Sequence, residues 1–284
     1  FGGDGPHVLL TGHLDVVPAG DSWKFPPFGG TRQDGRLYGR GAADMKGGVA
    51  AMLQAYIAAA NDLVDRTGKL SLAFVADEES SNAGTHRLLG HEGGWTHVVI
   101  GEPTELSVAV GHRGVARATI ATFGRACHAS TPERGSNAIY SAIPVIERVR
   151  AYHYELSGRE PDELGRPTAA LTTIRGGSKD NVIPAECRMT INRRTITGET
   201  KESVAAEMDN LFSDVLPESS WSLMLDSFLP ACWVGKDSPL AVMAGEAVKE
   251  ATGSPPKIDA FPATCEQALF VEKGYESIVL GPGS

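Results

Sequence analysis

Cysteine is scarce in this chain of 284 residues: Cys127, Cys187, Cys232 and Cys265 stand far apart and form no C-x-x-C pair. That spacing suits neither a disulfide scaffold nor a structural zinc knuckle, and it leaves the reduced thiols of a cytoplasmic protein as the expectation. Long apolar runs are lacking too. None approaches the ~20 residues of a membrane span, and no basic, apolar, small-residue succession resembles a signal peptide. Positive charge is in deficit, with 26 Lys and Arg against 35 Asp and Glu and a net charge of −9. No basic run reverses this locally, so nucleic acid and membrane surfaces are disfavoured as partners. Internal repeats and low-complexity stretches are also missing, as is the G-x-x-x-x-G-K-[ST] phosphate loop.

What is present is ordinary globular composition, 42% hydrophobic and 21% charged, enough for one large core or two smaller ones. In the first hundred residues His7–Thr11, Lys69–Ala76 and His97–Gly101 read as buried strands. Between the first two, Val49, Met52, Leu53, Tyr56 and Ile57 recur at helical spacing and predict an amphipathic helix from Lys46 to about Asn61. Strand, helix, strand implies a mostly parallel α/β sheet, whose ligands gather beyond the carboxyl ends of its strands. The Pro/Gly-rich Trp23–Gly30 segment reads as a surface loop.

From about Gly111 the texture changes to half-apolar, β-rich segments, Val115–Phe123, Ala169–Ile174 and Glu186–Arg194, with helical patterns near Asn137–Tyr152 and Glu199–Leu211. Two helices over an antiparallel sheet, an α+β sandwich, is the economical reading. After Pro230 the first texture returns, with helices near Pro239–Ala251 and Glu266–Lys273 and a strand Ser277–Leu280. The sequence thus predicts an α/β catalytic domain made of residues 1–110 and 228–284, with an α+β domain inserted over residues 111–227.

Candidate chemistry sits at the strand ends. Leu10-Thr-Gly-His-Leu-Asp15 places His13 and a carboxylate two apart, on the same face of a strand. Asp15 can then hydrogen-bond the imidazole nitrogen that a metal on His13 would not use. A strand-end histidine satisfied by a nearby carboxylate is the plainer alternative. In Gly39-Arg-Gly-Ala-Ala-Asp-Met-Lys-Gly-Gly48, an N-cap role accounts for Asp44 but not for the four glycines around it. These point to backbone crowding or unusual torsions near something bound.

The strand Lys69–Ala76 runs into Asp77-Glu78-Glu79-Ser80, where three acids repel one another unless a cation or a solvated turn absorbs the charge. The strand His97–Ile100 likewise delivers Glu102 in Gly101-Glu102-Pro-Thr104. Three successive strands thus bring carboxylates or histidine to one rim. Hard oxygen ligands plus imidazole, without thiolate, suit zinc, cobalt or manganese in an open catalytic site. Two adjacent metals need a bridging carboxylate, and a free carboxylate beside them can take a proton from water.

In this order, G-H-L-D-V-V-P, G-R-G-A-A-D-M-K-G, D-E-E and G-E-P-T resemble the motifs of the aminoacylase and glutamate-carboxypeptidase family of two-zinc metallopeptidases. The likeness extends through G-R-A-C-H-A-S-T-P, S-N-A-I, N-V-I-P and N-R-R-T to Leu280-Gly-Pro-Gly-Ser284, and so covers nearly the whole chain. It implies that His13 and Glu102 hold one metal, Glu79 the other, and Asp44 bridges them. Glu78 would then be the general base and Asp15 the partner that orients His13. His128 resembles the histidine that polarises the substrate carbonyl across a homodimer interface formed by the inserted lid domain. Asn181 and Arg194 resemble residues that hold the substrate's carboxylate.

The resemblance implies hydrolysis of an amide in a small carboxylate-bearing substrate, an N-acyl amino acid or short peptide. Ala263-Thr-Cys-Glu-Gln-Ala-Leu269 is most similar to the acetylornithine deacetylase branch, making an N-acetyl amino acid the first expectation and N-succinyl-diaminopimelate or a dipeptide the next. Family members carry a histidine soon after G-P-G-S and more sequence before the first strand, so the chain reads as a piece of a longer protein. With that histidine missing from the second metal site, the alternative from another class is a relative that binds a ligand without hydrolysis.

Overall fold

The computed structural model describes residues 5–62, 67–91 and 93–283, and these fall into two compact units. One takes in the chain up to His112 and again from Cys232; the other is Arg113–Ala231. The chain opens with β1 (His7–His13), a buried apolar strand that ends in the polar Thr-Gly-His. A hairpin follows, β2 (Thr31–Gln33) and β3 (Arg36–Tyr38), turned by Asp34 and Gly35 at φ 51° and 73°. Two positive φ values in an Asp-Gly pair make a turn whose twist matches that of the strands it joins.

Helix α1 (Gly47–Asp62) leads to β4 (Lys69–Val75), α2 (Ala83–Leu89), β5 (His97–Ile100) and β6 (Val108–His112). The buried face of α1 differs from the predicted stripe. Met52 is buried, but Leu53 and Ile57 are 39% and 49% exposed. The contact is made by Gly48, where a Cβ would stand only 1.9 Å from the carbonyl oxygen of Gly101 just beyond β5. A helix that packs backbone to backbone through glycine presents fewer large apolar residues than periodicity anticipates.

The second unit holds β7 (Gly114–Phe123), β8 (Cys127–His128), α3 (Ala138–Ser157), β9 (Thr168–Gly176), β10 (Val182–Ile183), β11 (Glu186–Thr195), α4 (Lys201–Ser213) and β12 (Trp221–Leu229). Its antiparallel sheet runs β12-β7-β11-β9. One face packs on α3 and α4 through Ile120, Met189, Ile191, Val145, Tyr152, Met208 and Phe212. Each strand therefore alternates between that core and the opposite face, as β11 does over Cys187, Met189, Ile191 and Arg193.

The chain then returns through β13 (Cys232–Trp233), α5 (Pro239–Thr252), β14 (Ile258–Phe261), α6 (Gln267–Glu272) and β15 (Glu276–Val279). The sheet of this first unit is mixed and mainly parallel, ordered β13-β6-β15-β5-β1-β4 with β14 on β6. Leu9, Val98, Ile100, Phe270 and Val279 build the core on the α2 and α6 face, while Val108, Val110, Leu240, Ala241 and Ile278 pack with α5 on the other. The result is an α/β unit with an α+β unit inserted in its sequence. Among the described residues no helix is long and apolar enough to cross a membrane.

Candidate metal centre

Strand register builds the rim. β1, β4 and β5 are adjacent and parallel, with His13 opposite Val75 and Thr11 opposite Ile100. Glu102, two residues past Ile100, is thereby level with His13, and the acids after Val75 leave β4 at the same edge. Of the three acids after β4, Asp77 turns away. At φ 71° its backbone bends, and its carboxylate accepts from Ser81 Oγ and from the Ala83 N–H that opens α2, leaving Glu78 and Glu79 for the site. Asp44 comes from the Ala42–Lys46 turn ahead of α1, with extended torsions (φ −113°, ψ 100°) instead of an N-cap. Lys46 Nζ donates to the carbonyl of Leu14 at 2.5 Å and ties that turn to the end of β1.

His13 is the hub. Its Nε2 lies 3.1 Å from Asp44 Oδ1 and 3.5 Å from Glu102 Oε1. Its Nδ1 is 2.9 Å from the backbone carbonyl of Asp15 and 3.5 Å from the Asp15 carboxylate. The expected carboxylate partner is thus the farther of two oxygens, because Asp15 Oδ2 accepts from the backbone N–H of Glu79 at 3.1 Å. One residue thereby fixes the imidazole with its main chain and the β4 exit with its side chain.

Two donor groups emerge. One atom each from His13, Asp44 and Glu79 lie within 4.8 Å of one another, and so do one each from Glu78, Glu102 and Glu266. Sequence reading missed Glu266. It precedes α6, where a lone carboxylate in an otherwise uncharged Cys265–Phe270 stretch was the available signal. Burial, then the charge of Glu266, pushes the Glu102 carboxyl up to about 9 and that of Glu78 to about 8, with His13 opposing. Burial works against charge on His13, but the hydrogen bond to Asp44 and the carboxylates of Glu102 and Glu78 outweigh it and raise the imidazole to about 10.

The donor set fits divalent cations. Its carboxylate and imidazole atoms are of the right class, no thiol belongs to either group, and Glu266 and Asp15 have buried oxygens with no hydrogen-bond partner in another of the described residues. Backbone packing closes the rim: Thr104 Oγ1 and Gly281 exchange hydrogen bonds at 3.1 and 3.2 Å, and a Cβ on Gly281 would stand 2.2 Å from the carbonyl oxygen of Glu102. The G-E-P-T and G-P-G motifs thus clasp each other.

In the inserted unit, His128 and Asn181 share one two-stranded ribbon. β8 pairs with β10, His128 opposite Val182, and Ala129 N–H donates to the Asn181 carbonyl at 2.9 Å. The backbone N–H of Ser130 donates to His128 Nδ1 at 3.2 Å, so in the neutral ring the proton sits on Nε2. Arg194 is elsewhere. The ribbon continues from the Phe123/Glu186 end of the sheet, whereas Arg194 lies eight residues farther along β11, about 26 Å at ~3.3 Å per residue. There it faces Val115, with Arg117 as its diagonal neighbour, and burial followed by the charges of Arg113 and Arg117 lowers its pKa.

Residues 9–284 match the sequence pattern of peptidase family M20/M25/M40. The succinyl-diaminopimelate desuccinylase of Wolinella succinogenes is 31% identical over 98% of this chain and 77% of its own length. The enzyme of that name from Rhodospirillum centenum is 34% identical over 96% and 72%. Among solved structures, the M20 family metallo-carboxypeptidase Sso-CP2 of Sulfolobus solfataricus has a TM-score of 0.83 at 17% identity, covering 98% of this chain and 77% of that one. A dinuclear metal-binding M20 peptidase of Bacillus subtilis has a TM-score of 0.66 at 18% identity, covering 99% and 73%. With matching fold, ordered motifs and sequence pattern over nearly its full length, the chain belongs to peptidase family M20/M25/M40 and is a metal-dependent amidohydrolase.

Proposed function

We propose that the protein removes the acyl group from an N-acyl amino acid bearing free carboxylates, an N-succinyl diamino acid in preference to N-acetylornithine. The convergence of His13, Asp44 and Glu79 with Glu78, Glu102 and Glu266 carries the hydrolytic reading. The succinyl choice rests on the desuccinylase relatives and on Arg113, Arg117 and Arg194 in a chain of net charge −9, since guanidinium pairs well with carboxylate.

His13 and Glu102 would hold one divalent ion and Glu79 the second, with Asp44 between them. Ions bound there, zinc in preference to cobalt or manganese, supply Lewis acidity to the carbonyl and to water. Glu78 takes a proton from the attacking water as the new C–O bond forms, and returns it to the amine nitrogen as the C–N bond breaks. Asp15 keeps His13 oriented. Nε2–H of His128 donates to the oxyanion, and Asn181, whose Oδ1 is buried with no hydrogen-bond partner among the described residues, and Arg194 hold the substrate's polar groups.

The separation along β11 between Arg194 and the His128–Asn181 ribbon exceeds a small substrate, which favours their serving different copies of the site. A homodimer through the inserted unit meets that need. Tyr140, Ile143 and Ile146 on α3 and Ile174 on the last strand of the sheet, β9, are exposed apolar residues suited to it. If so, mixing Glu78→Gln with His128→Ala protein should restore about a quarter of wild-type activity, because about half the dimers are mixed and each has one good site of two. No recovery after verified subunit exchange would place His128 in its own chain's service or outside catalysis.

The substrate reading is tested by kcat/KM of the metal-loaded protein on N-succinyl-diaminopimelate, N-acetylornithine and dipeptides. The succinyl substrate should lead by about tenfold or more, the worth of one added charge-assisted hydrogen bond. A lead for N-acetylornithine would overturn the choice of acyl group and leave amide hydrolysis standing.

A further inference from the structure

Glu266 has no task in the mechanism above. It is fully buried, at 0% exposure, and its flanking residues Cys265 and Gln267 are buried as well. Among the described residues, neither of its carboxylate oxygens has a hydrogen-bond partner in another residue. The neighbouring amide does not help, because Gln267 Nε2 donates to the backbone carbonyl of Ser277 at 2.7 Å. Burying a carboxylate in this way is among the costlier things a fold can do, and packing alone gives no reason for it. A glutamine would fill nearly the same volume without the charge. Glu266 offers an oxygen within 4.8 Å of donor oxygens from Glu78 and Glu102, and the three acids share the charge of His13.

We propose that Glu266 is a direct ligand of the metal centre, giving a carboxylate oxygen to the divalent ion held by His13 and Glu102. This rests on the metal-dependent reading above and deepens it. The three elements that would converge on that ion are the end of β1, the exit of β5 and the start of α6. The α6 segment thereby becomes part of the site instead of its backing. A divalent ion also eases the local imbalance, since it adds positive charge where Glu78, Glu102 and Glu266 share that of His13.

The test strips the protein with a chelator and titrates it with Co²⁺ and Zn²⁺, following the visible cobalt spectrum and calorimetric binding. Wild type should bind two ions. Glu266→Gln should weaken one step by at least about tenfold, leave the other unchanged, and alter the cobalt spectrum, because losing even an indirect partner of a ligand typically costs 10–100-fold. Metal-free Glu266→Gln should melt no lower than metal-free wild type, since the amide fills nearly the same space and replaces an acid whose charged form burial opposes. Unchanged affinities and spectrum would overturn the proposal, as would a metal-free variant that melts lower, which would mark a packing role. Should Glu266→Gln fail to fold, Glu266→Asp decides the matter: the shortened side chain must weaken the same step, and unchanged binding overturns. Wild type that binds no divalent ion would instead overturn the metal-dependent reading itself.

Discussion

Arg193 in the inserted unit and Glu266 before α6 are both fully buried, yet among the described residues only the Arg193 side chain finds hydrogen-bond partners. Arg193 Nε donates to the Tyr152 hydroxyl at 2.9 Å, and Nη1 to Glu199 at 3.1 Å and to the Arg194 carbonyl at 2.6 Å. Its Nη2 reaches Glu199 and Glu207, and Arg159 pairs with the same two glutamates from outside. Two cations and two carboxylates share one network that joins β11 to α3 and α4. Around His13, by contrast, carboxylates converge on a single imidazole. A buried cluster that closes on itself is structure, whereas one that leaves like charges facing each other is built for something that arrives later.

Breaking each cluster should therefore have opposite consequences, the largest at Glu78. Glu78→Gln should lower kcat by roughly 10²–10⁴-fold, the range of general-base catalysis, with metal content retained. Glu79→Gln should release metal. Equal metal loss in both variants, by elemental analysis, would exchange the roles given to these neighbours.

On the paired side, Arg193→Met leaves Glu199 and Glu207 with Arg159 alone and takes the buried half of the network away. That should cost about 3 kcal/mol in urea unfolding, the low end for breaking a buried ion network. A loss below about 1 kcal/mol would mean that the network does not hold the unit together.

The unpaired cluster should reveal itself in pH dependence of the metal-free protein. Glu78 and Glu102 have folded pKa values of about 8 and 9, above the 4.5 ordinary for a glutamate carboxyl, and His13 about 10, above 6.5. The folded state thus holds more protons than the unfolded state across this range, so stability must fall as pH rises. Thermal melts at pH 6 and pH 9 should show the metal-free protein less stable at the higher pH. Added zinc should offset that loss. A flat or rising profile would contradict the clustering.

The smallest effect belongs to an exposed pair. Asp259 sits between Lys236 at 3.2 Å and Lys257 at 2.8 Å, and Asp259→Asn should cost under ~1 kcal/mol. A larger loss would show that burial is the wrong axis for separating these charge groups.

The rim was legible in sequence because its signals are local: an apolar run followed at once by His-x-Asp, by three acids, or by Gly-Glu-Pro-Thr. Leu53 and Ile57 were misread because the face of α1 is set by Gly48 against Gly101, and glycine carries no hydrophobic signal. β12 escaped notice for a related reason. Its outward face includes Met224, 62% exposed, which blurs the alternation that marks a strand. Glu266 was quoted as part of a motif but not as a site residue, since its neighbours Glu78 and Glu102 lie far upstream and only the sheet order brings them together.

That sheet order bears on biosynthesis. β15 lies between β5 and β6, so the two strands that flank it leave the ribosome well before the strand that joins them. Between β6 and β15 the whole of Arg113–Ala231 must be translated, a delay on the order of 10 s at typical elongation rates. The four strands of the inserted unit's main sheet all lie within this one contiguous stretch and can pair during that wait. The first half-sheet cannot close, and its open edges are the part of the nascent chain most in need of chaperone cover. Glu266 and the Gly281 clasp on Thr104 are translated after the inserted unit, so a ribosome-bound chain can fold that unit before every donor of the metal centre is in place.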